Sequence, residues 1–216
     1  MKIRTTLTLL AAALLASSAT ADTVEISGNG FSSIENTGAQ FYATLEYTAD
    51  SNDDDEGTLV VTITNTSSSS VGGFLTGFVF DIATSDSDFE AELESASNSN
   101  FQDTGSESAN PFGNFDAGAA LRANWNGGGN PSFGLGIGET GVFEFEIEAD
   151  DASLLTAASF LGPDGDWLAV RFRGLNNGLS DKLLGNTVTV VPLPSAALAG
   201  LSMLGLGFGV RTIRRR

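Results

Sequence analysis

Apolar and polar residues alternate one for one through much of the chain between residues 22 and 191. Phe143, Phe145 and Ile147 alternate with Glu144, Glu146 and Glu148, the pattern of a strand with one buried and one wet face. Leu59, Val61 and Ile63 alternate with Val60, Thr62 and Thr64, and the same period runs through Phe41, Ala43, Leu45 and Tyr47. It recurs at Phe78, Phe80 and Ile82, and at Leu168, Val170 and Phe172, whose partners include Arg171 and Arg173. Shorter strand candidates lie at 23–27, 88–94, 119–125 and 186–191. The turn-rich runs SNDDDEG, TSSSSVGG, SASNSN, NGGGNP and GPDGD separate them. About eight to nine short strands with such connections predict an all-β fold, an antiparallel β-sandwich of the jelly-roll or immunoglobulin-like kind. Only the run 152–160, ASLLTAASF, reads as a short helix or helical turn, and 95–118 reads as one long loop.

Both ends break the alternation. MKIRTTLTLLAAALLASSATAD opens with Lys2 and Arg4, continues in an apolar run and ends in Ala19-Thr20-Ala21. That is the layout of a secretory signal peptide, a helix cleaved before Asp22. At the other end, Ser195–Val210 is uncharged and interrupted by Gly200, Gly205, Gly207 and Gly209. At a rise of about 1.5 Å per residue it spans about 24 Å, short for a hydrocarbon core of about 30 Å. Arg211, Arg214, Arg215 and Arg216 follow it, and such a cluster stays on the cytoplasmic side. An ordinary tail anchor is the competing reading of this segment.

Val191-Pro192-Leu193-Pro194, the short weak span and the arginines together resemble the sorting signals that exosortases recognise, the PEP-CTERM class, and more closely its VPLPA variant. Ser195 stands where that variant usually has alanine. The resemblance implies export from a Gram-negative cell through the Sec translocon and transient anchoring in the inner membrane. It further implies cleavage by an exosortase and a final place at the cell surface or in the exopolysaccharide matrix. DWLAVRFRGLNNGLSDK faintly resembles a stretch near the end of many small ectodomains of that class. The predicted organisation is a signal peptide at 1–21, an acidic ectodomain at 22–190 and a sorting signal with a hydrophobic helix at 191–216.

Charge sharpens this picture. Between Asp22 and Val191 the chain has 27 acids against Arg122, Arg171, Arg173 and Lys182, a formal charge of −23. Such a domain repels nucleic acid and anionic lipid, and neither is expected as a partner. With no cysteine and no histidine, disulfides, thiolate nucleophiles, imidazole metal ligands and Ser-His-Asp triads are all excluded.

What chemistry is left lies in acids and aromatics. Asp50, Asn52 and Asp54 have the alternation of a calcium loop, but Asp55 occupies the glycine position and Val61 that of the bidentate glutamate. An EF-hand is thereby ruled out, and a solvated hairpin tip is the simpler reading. Asp164 and Asp166 form a second, weaker calcium candidate. The row Asp86, Asp88, Glu90, Glu92 and Glu94 has strand spacing and suits a wet face or a guarded sheet edge. Trp125, Trp167, Phe112, Phe115 and Phe133, near asparagines and glycines, could stack on sugar rings or simply fill the core. For catalysis only a carboxylate pair is available, and no acid sits in an obviously apolar run. The expectation is a non-enzymatic surface or matrix protein with a structural or binding role. A lectin-like module is the alternative, with a carboxylate-pair glycoside hydrolase behind it.

Overall fold

The computed structural model describes residues 22–30, 32–162, 168–185 and 187–191. The protein is all-β with antiparallel sheets. A six-stranded sheet comprises β1 (Asp22–Gly28), β2 (Phe41–Ala49), β3 (Glu56–Asn65), β5 (Glu90–Ala96), β10 (Thr140–Glu148) and β13 (Thr187–Val191), ordered β13-β1-β2-β3-β10-β5. A five-stranded sheet comprises β4 (Gly72–Phe80), β6 (Phe101–Asp103), β9 (Ala117–Leu121), β11 (Ala169–Leu175) and β12 (Asp181–Leu184), ordered β12-β11-β4-β9-β6. β7 (Glu107–Ser108) and β8 (Asn114–Phe115) form a small hairpin.

Each alternating run identified in the sequence lies in or overlaps one of these strands. The described residues hold thirteen strands rather than eight or nine, because β6, β7, β8 and β12 are too short to carry a readable period. For the same reason the expected loop 95–118 is interrupted by short strands, namely the end of β5, then β6, β7 and β8, and the start of β9. The run 152–160 folds as two short 3-10 turns, Ala152–Leu154 and Ala157–Leu161, not as an α-helix. The predicted signal helix and C-terminal helix lie outside the described residues, and no helix among those described is long and apolar enough to cross a membrane.

Alternation decides which side chains go inside. Leu59, Val61 and Ile63 of β3, Phe143, Phe145 and Ile147 of β10, Phe78 and Phe80 of β4, and Val170 and Phe172 of β11 share one core cluster drawn from both sheets. Aromatic edges run across it: Phe101 meets Phe143 at 5.0 Å between centroids, Phe78 meets Phe143 at 4.8 Å and Phe80 meets Phe145 at 5.1 Å. Phe80 then meets Phe160 at 6.1 Å, and Phe160 meets Tyr47 at 5.1 Å. Tilted and edge-on pairs of this kind add about 0.5–1.5 kcal/mol each beyond area burial. The Tyr47 hydroxyl is buried and donates to the Ala152 carbonyl at 2.8 Å, and burial, with the charge of Asp151, pushes its pKa up to about 12.

A second, smaller cluster lies on the other face of the five-stranded sheet. Val79, Ala169, Ala109, Phe115 and Trp125 make it up, with Phe112 and Leu184 packed against them. The segments around β7–β8 and after β9 fold back over that face to close it. Asp181 ties down another loop: it is buried and accepts from the Ser33 hydroxyl, from the Thr37 hydroxyl at 2.5 Å and from the Glu35 and Thr37 backbone N–H groups at 3.2 Å.

Candidate functional site

The acids expected to line a wet face do so, and the register brings them close together. On the outer face of the six-stranded sheet, Glu148 of β10 stands opposite both Glu56 of β3 and Glu90 of β5, and Glu146 stands opposite Glu92. Glu56, Glu146 and Glu148 each place a carboxylate oxygen within 4.8 Å of the others. Like charges directly opposite in a sheet repel. The proximity of Asp53, then partial burial, then Glu146, Glu148 and Asp50 hold the Glu56 carboxyl above its ordinary value of 4.5.

At the end of this sheet the acids converge on a cleft of about 390 Å³, lined by Asp53, Asp55, Glu56, Asp86, Asp88, Glu148, Ala149 and Asp150. Three chain segments are laced together there. The Asp55 carbonyl accepts from the Ala149 N–H at 2.9 Å, and the Asp54 carbonyl from the Ser153 N–H at 3.0 Å. Asp86 accepts from the Asp150 N–H at 3.0 Å. Asp151 accepts from the Thr84 hydroxyl, the Ser85 N–H at 2.9 Å and the Ser85 hydroxyl at 2.6 Å. These donors hold the Asp151 carboxyl below its ordinary value.

The hairpin loop between β2 and β3 is organised by its own polar groups. Asp50 accepts from the Asn52 N–H at 2.7 Å and the Asn52 side-chain amide at 3.1 Å, which lowers its pKa. Asp53 accepts from the Asp55 N–H at 3.2 Å, and Asp50, Asn52 and Asp54 are exposed. The acids that do gather, Glu56 with Glu146 and Glu148, are not the alternating set singled out from the sequence. They come from two strands about 90 residues apart, so only the register of β3 on β10 could reveal them. The set offers hard oxygen donors, the ligand type of calcium. It offers no carboxyl in an apolar pocket, the setting that raises a general acid's pKa.

The aromatic candidates separate on burial. Trp125 is 0% exposed and Phe115 1%, so neither presents a ring face, and of the two roles open to them in the sequence, stacking or filling the core, the geometry supports packing. Their apolar surface fills the cluster over the five-stranded sheet, a layer that the alternation of one strand could not announce. Phe112 is half-buried against the same cluster, whereas Phe133 is 48% exposed. Trp167, Asp164 and Asp166 lie outside the described residues, as does the sorting signal apart from Val191, the last residue of β13.

No family model matches the sequence and no curated protein is significantly similar to it.

Two outcomes follow from this geometry. Trp125→Ala should cost about 3–5 kcal/mol, read as a fall in urea midpoint at unchanged slope; a midpoint like wild type would return the ring to the surface. Glu56→Gln should raise the melting temperature at neutral pH and low salt, and the gain should shrink in about 0.5 M sodium chloride, where the Debye length is roughly 4 Å. Because the folded-state pKa of Glu56 is raised, its contribution is most favourable below 4.5 and is lost as pH rises through the raised value. The variant's advantage should therefore fade on acidification. An advantage independent of both salt and pH would refute the repulsion.

Proposed function

We propose that the chain is an exported, exosortase-sorted acidic protein that serves a structural or binding role at the cell surface or in the exopolysaccharide matrix of a Gram-negative cell. The observation that carries this reading is the three-part tail: Val191-Pro192-Leu193-Pro194, a weak apolar span, and Arg211, Arg214, Arg215 and Arg216. The basic, apolar and small-residue start that ends at Ala21 supports it. Its partners in maturation are the Sec translocon and an exosortase, and it passes through an inner-membrane-anchored stage.

The two proposed processing points also suit the fold. Asp22 begins β1 and Val191 ends β13, and these strands pair with Thr23 opposite Val191. Cuts before Asp22 and near Pro194 leave the ladder whole, and the ectodomain between them keeps its core. We read that ectodomain as a β-sandwich of the jelly-roll or immunoglobulin-like kind, acting without catalysis. The exopolysaccharide enters as the surrounding polymer, since the buried Trp125 and Phe115 leave a lectin-like platform without its central rings. The one cofactor in this reading is calcium, which carboxylate oxygens suit.

Intact-mass analysis of protein released by the native host should find a chain that starts at Asp22 and ends near Pro194. Replacing Arg214, Arg215 and Arg216 with serine should block that processing by removing the inside-positive signal. Mature protein that still carries Arg216 would overturn the sorting reading. For calcium, millimolar calcium chloride should raise the melting temperature beyond sodium chloride of equal ionic strength, by about 1.4 kcal/mol of stabilisation at ten times Kd. Identical melting in the two salts would leave the acids as a solvated rim.

A further inference from the structure

All four basic residues between Asp22 and Val191 collect in one place. Arg171 and Arg173 lie two apart on β11, hence on one face, and Val170 and Phe172 on the opposite face belong to the core between the sheets. Lys182 of β12 stands directly opposite Arg171. Arg122 follows β9, and the loop it opens, 122–130, runs back over the same face. There the Gly128 and Gly129 carbonyls accept from Arg173 Nη1 at 2.9 and 3.3 Å. A β-carbon at Gly127 would lie 3.6 Å from Arg173 Cζ and 3.8 Å from Arg171 Nη2, and one at Gly129 would lie 3.4 Å from Arg122 Nε. The loop thus runs close over Arg171 and Arg173, with its own Arg122 beside Gly129. Trp125 comes from that loop, with Lys182 Nζ 5.9 Å from its ring centroid.

This cluster lacks its counter-charge. Among the described residues no carboxylate pairs with any of the four cations, although the chain has 27 acids. Two buried donors there, Arg171 Nε and Trp125 Nε1, have no acceptor, and leaving such groups unpaired costs about 1–3 kcal/mol each. The cations also press on one another. Burial lowers the pKa of both Arg171 and Lys182; the charge of Arg173 adds to the first, and that of Arg171 to the second. An oxyanion answers both deficits, because it brings charge and several acceptor lone pairs at once. Planar guanidinium forks suit carboxylate, sulfate and phosphate alike.

We propose that the outer face of the five-stranded sheet, around Arg171, Lys182 and Trp125, is a binding site for a single oxyanion group: a carboxylate, sulfate or phosphate. Between Asp22 and Val191 every cation is gathered on this face, so it is where that part of the chain offers an anion positive charge.

Trp125 supplies the reporter. In the full chain carrying Trp167→Phe, which leaves Trp125 as the sole tryptophan, sodium sulfate, phosphate, acetate and oligogalacturonate are titrated at ionic strength held constant with chloride. At least one should produce a saturable change in Trp125 emission, and the arm that does so identifies the group. In Arg171→Met and Lys182→Met the apparent affinity should fall at least tenfold while circular dichroism stays native. Should Arg171→Met fail to fold, the half-buried Lys182→Met carries the comparison. If Trp167→Phe itself is unstable, the same titrations are read by calorimetry on the wild-type chain. No saturable response to any of the four, or equal responses in wild type and Lys182→Met, overturns the site. So does a concentration-dependent dimer in sedimentation that Lys182→Met abolishes without any oxyanion response, which would assign the face to a second copy of the chain.

Discussion

The aromatic seam between the two sheets bears the electrostatic load of this molecule. A formal charge of −23 between Asp22 and Val191 pushes the fold apart, and no cysteine is present to cross-link it. Phe101, Phe143, Phe78, Phe145, Phe80, Phe160 and Tyr47 form a continuous chain of ring contacts from one end of the core to the other. Full burial of a large apolar side chain stabilises by about 1.5–3 kcal/mol, whereas exposed like charges interact by a fraction of that in water. Burial therefore wins locally, and the acids are tolerated because they stay on the wet side of the same strands. Phe143 and Phe145 face the core while Glu144, Glu146 and Glu148 face out, so one strand both makes the seam and carries the load.

Charge is sorted by sheet as well as by face. The outer face of the six-stranded sheet gathers Glu56, Glu90, Glu92, Glu146 and Glu148, and that of the five-stranded sheet gathers Arg171, Arg173 and Lys182. The sorting follows from where the chain can bury a third layer. Over the five-stranded sheet, Trp125, Phe115 and Ala109 form a lid, and the arginines thread beneath its glycines. Over the six-stranded sheet no such lid exists among the described residues, and its acids face water. A cation under a lid is partly desolvated and needs a partner; an acid in water does not.

How much of this was legible in the sequence depended on whether the information was local. Strand period is local, so the alternations at 41–47, 59–64 and 143–148 located β2, β3 and β10 and their buried faces directly. The row Glu90, Glu92 and Glu94 read as a guarded edge, and β5 is indeed the edge of its sheet. Pairing is not local. Glu56 meets Glu148, and Arg171 meets Lys182, only because of register, so the grouping of Glu56 with Glu146 and Glu148 is invisible along the chain, whereas the spacing of Asp50, Asn52 and Asp54 is visible. Trp125 admits two readings in the sequence, stacking or core filling, for a related reason. It sits past the end of β9, in a loop, where exposure is the ordinary expectation. Its burial depends on a second hydrophobic layer assembled from β4, β11 and the hairpin of β7 and β8.

The guarded edge shows how the two kinds of information meet. β5 leaves one side of its backbone unpaired, and an open edge invites pairing with another chain. Its outward glutamates repel such a partner from one face, which the sequence displays. The rest of the protection comes from the turn into the other sheet. Asp103 of β6 accepts from the Leu93 N–H of β5 at 2.7 Å, occupying a donor that a foreign strand would use. Asp103 also accepts from the Gly105 N–H at 2.5 Å, so one carboxylate closes the corner where the chain passes from the six-stranded sheet to the five-stranded one. An acid that adds to the charge burden of the molecule thereby removes a route to its aggregation. The same trade explains how so acidic a chain keeps one of its sheet edges closed without a disulfide or a covering helix.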